Sequence, residues 1–89
     1  MSEEQVALVT GGSRGIGRAI AMELSQAGYR VIITYKGNDA AAQETLALIH
    51  GKGGQGEAVR FDVADTAEAT AKMEDIISRH QNIRILVNN

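Results

Sequence analysis

The chain has no cysteine among its 89 residues. Disulfides and thiolate metal sites are excluded, and a reducing compartment fits. Aromatic side chains are scarce, limited to Tyr29, Tyr35 and Phe61. Any core must be aliphatic, which suits Val/Ile strands packed on Ala/Leu helices. Charge of one sign is not in excess. Nine basic side chains stand against eleven acidic ones, a net charge of −2, and that balance offers no footprint for nucleic acid or an anionic membrane. Long apolar runs are missing as well. No segment approaches the ~18 apolar residues of a membrane span. The start, MSEEQ, is acidic and polar, and only VALV follows it. A secretory signal needs a basic start and a longer apolar stretch. The expectation is one soluble, cytoplasmic domain. A chain this short buries only roughly 60–65% of the surface its unfolded form exposes, so its stability margin is thin.

What is present alternates. Val6 to Val9 is a continuous apolar run that ends at Thr10-Gly11-Gly12. A run without polar alternation predicts a strand covered on both faces. Apolar positions then recur at helical spacing as Ile16, Ala19, Ile20, Leu24 and Ala27, with Gly28 as a stop. Val31 to Thr34 reads as a second strand. Asn38 and Asp39 can cap a helix beginning near Ala40, whose stripe includes Ala42, Leu46 and Ile49. The glycines of GKGGQG, residues 51–56, end it. Ala58 to Val63 reads as a third strand. Asp65 followed by Glu68 resembles a capping box, and the next helix carries Met73, Ile76, Ile77 and His80. Ile83 to Val87 is the fourth strand. The order βαβαβαβ, with short connections, predicts a parallel sheet with right-handed crossovers and helices on both faces.

Between the first strand and the first helix lies TGGSRGIG, residues 10–17. Gly11 suits a tight strand-to-helix turn that a Cβ would hinder. Gly15 lets backbone come close to a pyrophosphate, and Gly17 lets the helix pack closely. The helix start then offers free N–H groups and a partial positive charge to phosphates. The plain alternative is a glycine turn without a ligand. The strand–turn–helix context favours the dinucleotide reading. A triphosphate-hydrolysing P-loop is disfavoured. Gly12-SRGI-Gly17 is followed by Arg18 and Ala19 instead of lysine and a hydroxyl. GKGGQG lies between a helix and the next strand, at the end of the sheet opposite to ligands.

Together, TGGSRGIG at 10–17, FDV at 61–63 and ILVNN at 85–89 resemble the short-chain dehydrogenase/reductases, and among them the 3-oxoacyl-(acyl-carrier-protein) reductases of fatty acid biosynthesis. The resemblance spans the whole chain. It implies the N-terminal half of a Rossmann fold, an α/β sheet in the order 3-2-1-4, with residues 1–89 as a partial dinucleotide-binding domain. It implies a cofactor site made by Gly11, Ser13, Arg14, Gly15, Ile16, Gly17, Lys36, Asp62, Val63 and Asn89. In it Asp62 accepts from the adenine amino group, the Val63 backbone touches the ring, and Asn89 lies near the adenosine ribose. Asn88 holds the central strands together. Without the other motifs, Asp62 reads as a turn carboxylate and the two asparagines as strand-terminating polar residues.

The second strand ends Thr34-Tyr35-Lys36, without the acid that grips the ribose 2′-OH of NAD. Arg14 lies in the glycine loop. Basic side chains at both places favour NADP (NADPH), although Lys36 also reads as an ordinary solvated lysine. The proton-donating Tyr-x-x-x-Lys pair of the family cannot be assigned. Tyr29 is followed four residues on by Ile33, and Tyr35 by Asp39. His50 and His80 read as helix-end histidines. The expectation is therefore a ketoreductase whose chain breaks off inside an Asn-Asn-Ala-Gly motif, inactive by itself. Its substrate would be a small molecule or an acyl-carrier-linked one. The parent would be a homotetramer, and the piece would self-associate through Ile83, Ile85 and Val87 along an open strand edge. A non-catalytic NADP(H)-sensing module is the second reading. A sugar-nucleotide epimerase is a third, less favoured by Ser13-Arg14 and the basic end of the second strand.

Overall fold

Four β-branched runs become four parallel strands: β1 (Val6–Thr10), β2 (Arg30–Tyr35), β3 (Gly56–Arg60) and β4 (Ile83–Asn88). Between them lie α1 (Gly15–Gln26), α2 (Asp39–Gly51) and α3 (Thr66–Arg79). The computed structural model describes residues 4–89. Met1, Ser2 and Glu3, part of the polar start, lie outside the described residues. The sheet order is β3-β2-β1-β4, as the resemblance implies. Among the described residues no helix is long and apolar enough to cross a membrane.

The two central strands are apolar on both faces, and the sheet pleat divides their side chains between two layers. Val9, Val31 and Ile33 pack with Ala21 of α1 and with Ala42 and Ile49 of α2. Val6, Leu8 and Ile32 face the other way and pack with Phe61 and with Ile76 of α3. Burying one such aliphatic side chain stabilises the fold by about 1.5–3 kcal/mol. Side chains cap two of the helices. Asn38 Oδ1 accepts from Ala41 N–H at 2.9 Å, and Asp65 Oδ1 accepts from Glu68 N–H at 3.1 Å. Glu68 does not complete the capping box expected around Asp65. Its Oε1 accepts from Asp62 N–H at 2.9 Å, because Asp65 N–H is already bonded to the Asp62 carbonyl.

Three expectations shift. The third strand runs Gly56–Arg60 instead of Ala58 to Val63. Gly56 pairs with Val31 and suits the place because a Cβ there would lie 3.1 Å from the Val31 carbonyl and 3.3 Å from Leu46. Phe61 stays buried, but the chain then leaves the sheet through an Asp62–Asp65 turn. On α1, Ile16, Ala19 and Ala27 are exposed, and the buried positions are Gly17, Ala21 and Ser25. Ile20 and Leu24 pack against the core as expected, and the small buried residues beside them let the helix approach the sheet closely.

The third shift is in β4. Its pairing with β1 slips between Val6 and Ala7, so Ile83 lies opposite Val6 and Ile85 opposite Ala7. Arg84 is the extra residue of a bulge. Ile83 therefore packs in the α3 layer and Val87 in the α1/α2 layer. β4 is the edge strand, as expected; Ile83, Ile85 and Val87 are half-buried along it, and Leu86 is its exposed apolar side chain.

Candidate functional site

Parallel strands carry their ligands beyond their C-terminal ends, where the strand order reverses. Here the reversal falls at β1, between β2 on one side and β4 on the other. The glycine loop leaves β1 at that point. Gly11 has φ +69°, the left-handed region, and its N–H and that of Gly12 both donate to the Thr34 carbonyl, at 2.9 and 3.2 Å. The turn is thus tied to the end of β2. Gly15 also has positive φ, +62°, and a Cβ built there meets nothing within 4 Å. That space is open to a ligand. A Cβ on Gly17 would lie 2.1 Å from the Gly11 carbonyl oxygen and 2.7 Å from Asn89 Nδ2. The close approach made by Gly17 is therefore to the turn and to the residue after β4, more than to the strand itself. Gly12, to which the sequence assigns no role, is buried, and a Cβ on it would collide with Ile33 Cγ2 at 2.5 Å.

The first turn of α1 differs from those of α2 and α3. Its N-cap is Arg14, in extended conformation, and no side chain caps it. The first backbone bond of the helix runs from Arg18 N–H to the Arg14 carbonyl at 3.3 Å. The amides of Gly15, Ile16 and Gly17 precede that bond and have no intrahelical acceptor. With the helix dipole behind them they form an anion-binding end. No acidic residue occupies the first turn to neutralise it.

Beside the turn, the strand ends enclose a cavity of about 430 Å³ whose lining includes Thr10, Gly11, Lys36, Asp62, Val63 and Asn89. Five of the ten expected site residues thus share one crevice, while Ser13, Arg14, Gly15, Ile16 and Gly17 form the loop next to it. Thr10 joins the ends of β1 and β4. Its Oγ1 lies 3.3 Å from the Val87 carbonyl and 3.2 Å from Asn88 Oδ1, and accepts from Asn89 N–H at 3.0 Å. Asn88 thereby ties the end of the edge strand β4 to the end of β1, and Asn89 Nδ2 donates to the Gly11 carbonyl at 3.3 Å. Asp62 Oδ1 accepts from Ala64 N–H at 2.9 Å, the bond of a turn carboxylate. Its Oδ2 lies 3.7 Å from Lys36 Nζ.

β2 ends without an acid in the sequence, yet one stands nearby. Tyr35 Oη donates to Asp39 Oδ1 at 2.7 Å, and Arg60 Nη1 lies 3.3 Å from Asp39 Oδ2. Arg60 Nε also donates to the Lys36 carbonyl at 3.2 Å. Both oxygens of Asp39 are therefore engaged, one by a phenol and one by a guanidinium. The hydrogen bond to Asp39 pushes the Tyr35 phenol above its ordinary value. Desolvation and the Asp39 charge add to this, and Arg60 opposes it. Helical i, i+4 logic does not reveal the contact, since Tyr35 ends a strand. The two histidines are outside this region. His80 Nε2 lies 2.8 Å from Glu57 Oε1, at the opposite end of the sheet, and His50 is exposed in the last turn of α2.

A turn, an uncapped helix and a crevice at the switch point are also features of other nucleotide-binding proteins. The family model for short chain dehydrogenase matches residues 5–89. The chain belongs to the short-chain dehydrogenase family. A 3-oxoacyl-(acyl-carrier-protein) reductase of Staphylococcus aureus is 39% identical over 89 residues, all of this chain and 36% of that protein. The short-chain dehydrogenase/reductase homolog YusS of Bacillus subtilis is 39% identical over 85 residues, 96% of this chain and 78% of YusS. A metagenomic short-chain oxidoreductase, solved in complex with NADP, superposes with a TM-score of 0.90 at 35% identity, over 96% of this chain and 38% of that one. The chain thus spans about a third of the staphylococcal reductase's length. Its short-chain dehydrogenase fold is the Rossmann arrangement of the resemblance, and the family is one of oxidoreductases.

Proposed function

We propose that this chain is the NADP(H)-binding portion of an oxidoreductase that reduces a keto group, of the 3-oxoacyl-thioester kind, with hydride from NADPH. One observation carries the reading: an uncapped, glycine-opened helix start lies beside a β2 end that bears Lys36 and whose nearby acid, Asp39, is fully engaged. The open space over Gly15 and the adjoining cavity fit a pyrophosphate and an adenosine. Amides of Gly15, Ile16 and Gly17 would hold the pyrophosphate. Arg14 and Lys36 would bind a 2′-phosphate, with Ser13 at the same loop. Asp62, Val63 and Asn89 would surround the adenosine.

When bound, the nicotinamide supplies the hydride. The keto substrate is favoured by the named activity of the staphylococcal relative. Residues 1–89 hold the cofactor and do not turn over by themselves in this reading. Neither tyrosine has a lysine four residues on, and the Tyr35 phenol is already bonded to Asp39.

Titrating NADPH and NADH against the wild type and Arg14→Ala tests the reading. NADPH binds the wild type more tightly than NADH. Losing a charge-assisted bond of about 1.5–3 kcal/mol lowers NADPH affinity by about one to two decades and leaves NADH nearly unchanged. Equal NADPH affinity in the two proteins overturns the assignment.

A further inference from the structure

The middle of the glycine turn is held from below by a side chain that the cofactor reading does not use. Arg18, in the first turn of α1, folds back under the loop. Its Nε and Nη2 donate to the Ser13 carbonyl at 3.1 and 2.6 Å. The Thr45 hydroxyl of α2 donates to the same oxygen at 2.8 Å and accepts from Arg18 Nε at 2.9 Å. Arg18 continues into α2, where Nη2 donates to the Ala41 carbonyl at 3.0 Å and Nη1 pairs with Glu44 at 2.8 Å. Thr45 is wholly buried.

Three donors thus converge on one carbonyl oxygen. The peptide unit joining Ser13 to Arg14 is planar and trans, so its C=O and N–H point in opposite directions. Fixing the carbonyl toward α2 aims the Arg14 N–H away from α2. It also sets where the following Gly15 and Ile16 amides begin. A cation in the first turn of a helix opposes the dipole and is otherwise unfavourable there. The hydrogen-bonded fork supplies the compensation.

We propose that Arg18 is a positioning residue for the phosphate-binding amides: through the Ser13 carbonyl and Thr45 it locks the glycine turn to α2 in the conformation that receives a pyrophosphate. This rests on the dinucleotide reading above.

The test compares two probes on the protein at its full natural length: NADPH, which carries the pyrophosphate, and adenosine 2′-monophosphate, which lacks it. Wild type, Arg18→Ala, Arg18→Lys and Thr45→Val are titrated with each. Arg18→Ala weakens NADPH by about ten-fold, while adenosine 2′-monophosphate changes by less than about two-fold. Arg18→Lys, which keeps one donor, recovers part of the loss. The Arg14 and Gly15 amide resonances of the ligand-free variant shift. Thr45→Val, which keeps the guanidinium, gives a smaller loss in the same direction and serves if Arg18→Ala does not fold. A wild type that binds NADPH, with variants that bind it equally well or lose both probes alike, overturns the latch alone. A wild type that binds no NADPH overturns the dinucleotide reading itself.

Discussion

Lys36 Nζ stands 3.7 Å from Asp62 Oδ2, so the cation that follows β2 and the carboxylate that follows β3 face each other in the same crevice. The lysine side chain is 78% exposed, and an ion pair of that kind contributes at most about 1 kcal/mol. A 2′-phosphate carries more charge than Asp62 and can take Lys36 from it at little cost.

Lys36→Ala therefore leaves the folded state nearly untouched, within about 0.5 kcal/mol by chemical denaturation. Its effect falls on cofactor choice. The ratio of NADPH to NADH affinity drops about ten-fold. Calorimetric titration of both cofactors checks this, and an unchanged ratio would make Lys36 an ordinary surface lysine.

Gly17→Ala has the opposite profile. The new methyl has no room against the Gly11 carbonyl, which is backbone, or against Asn89. Either α1 tilts or the turn shifts. We expect a destabilisation of about 1–3 kcal/mol, read as a lower denaturation midpoint, with cofactor binding weakened as well. A variant as stable as the wild type would mean that the helix start is looser than this contact implies.

Tyr35 gives the fold a pH dependence of known sign. Its phenol is raised above the ordinary value of 10.0, chiefly because it donates to Asp39. The folded state therefore holds this proton more tightly than the unfolded one. The stabilisation is fully present below about pH 10 and is lost as pH rises through the folded value. Tyr35→Phe should remove that component. Denaturation followed from pH 8 to pH 11 will show the wild type losing stability more steeply than the variant. Parallel curves would place Tyr35 outside the linkage.

Local signals were the legible ones. The glycines of the turn, the β-branched runs and the caps at Asn38 and Asp65 act on neighbours a few residues away. Their spacing fixed the element order, the sheet and the loop without reference to the rest of the chain. What escaped was longer in range or chemically quiet. Arg18 reaches Thr45, and Arg60 reaches Asp39, only because crossovers bring their helices and strands together. No pattern in a single strand announces such a meeting. The stripe on α1 holds at Ile20 and Leu24, which pack on the core, and fails at Ile16, because hydrophobicity ranks Ile16 above Gly17 whereas close approach to the turn selects the residue with no side chain. Ala58 to Val63 runs past the end of the third strand because Phe61 is apolar, buried and still donates to the Tyr35 carbonyl, while paired residues end at Arg60. Asn88 was legible through the resemblance alone, and its partner turned out to be Thr10.

The bulge at Arg84 lets one strand serve two masters. Before it, Ile83 anchors in the α3 layer; after it, Val87 anchors in the layer of α1 and α2. Loosening either side of the sheet thus tugs on the same short ribbon, and with it on the asparagines at its tip. The two layers are therefore expected to lose their packing together, with the mouth of the crevice reporting on both.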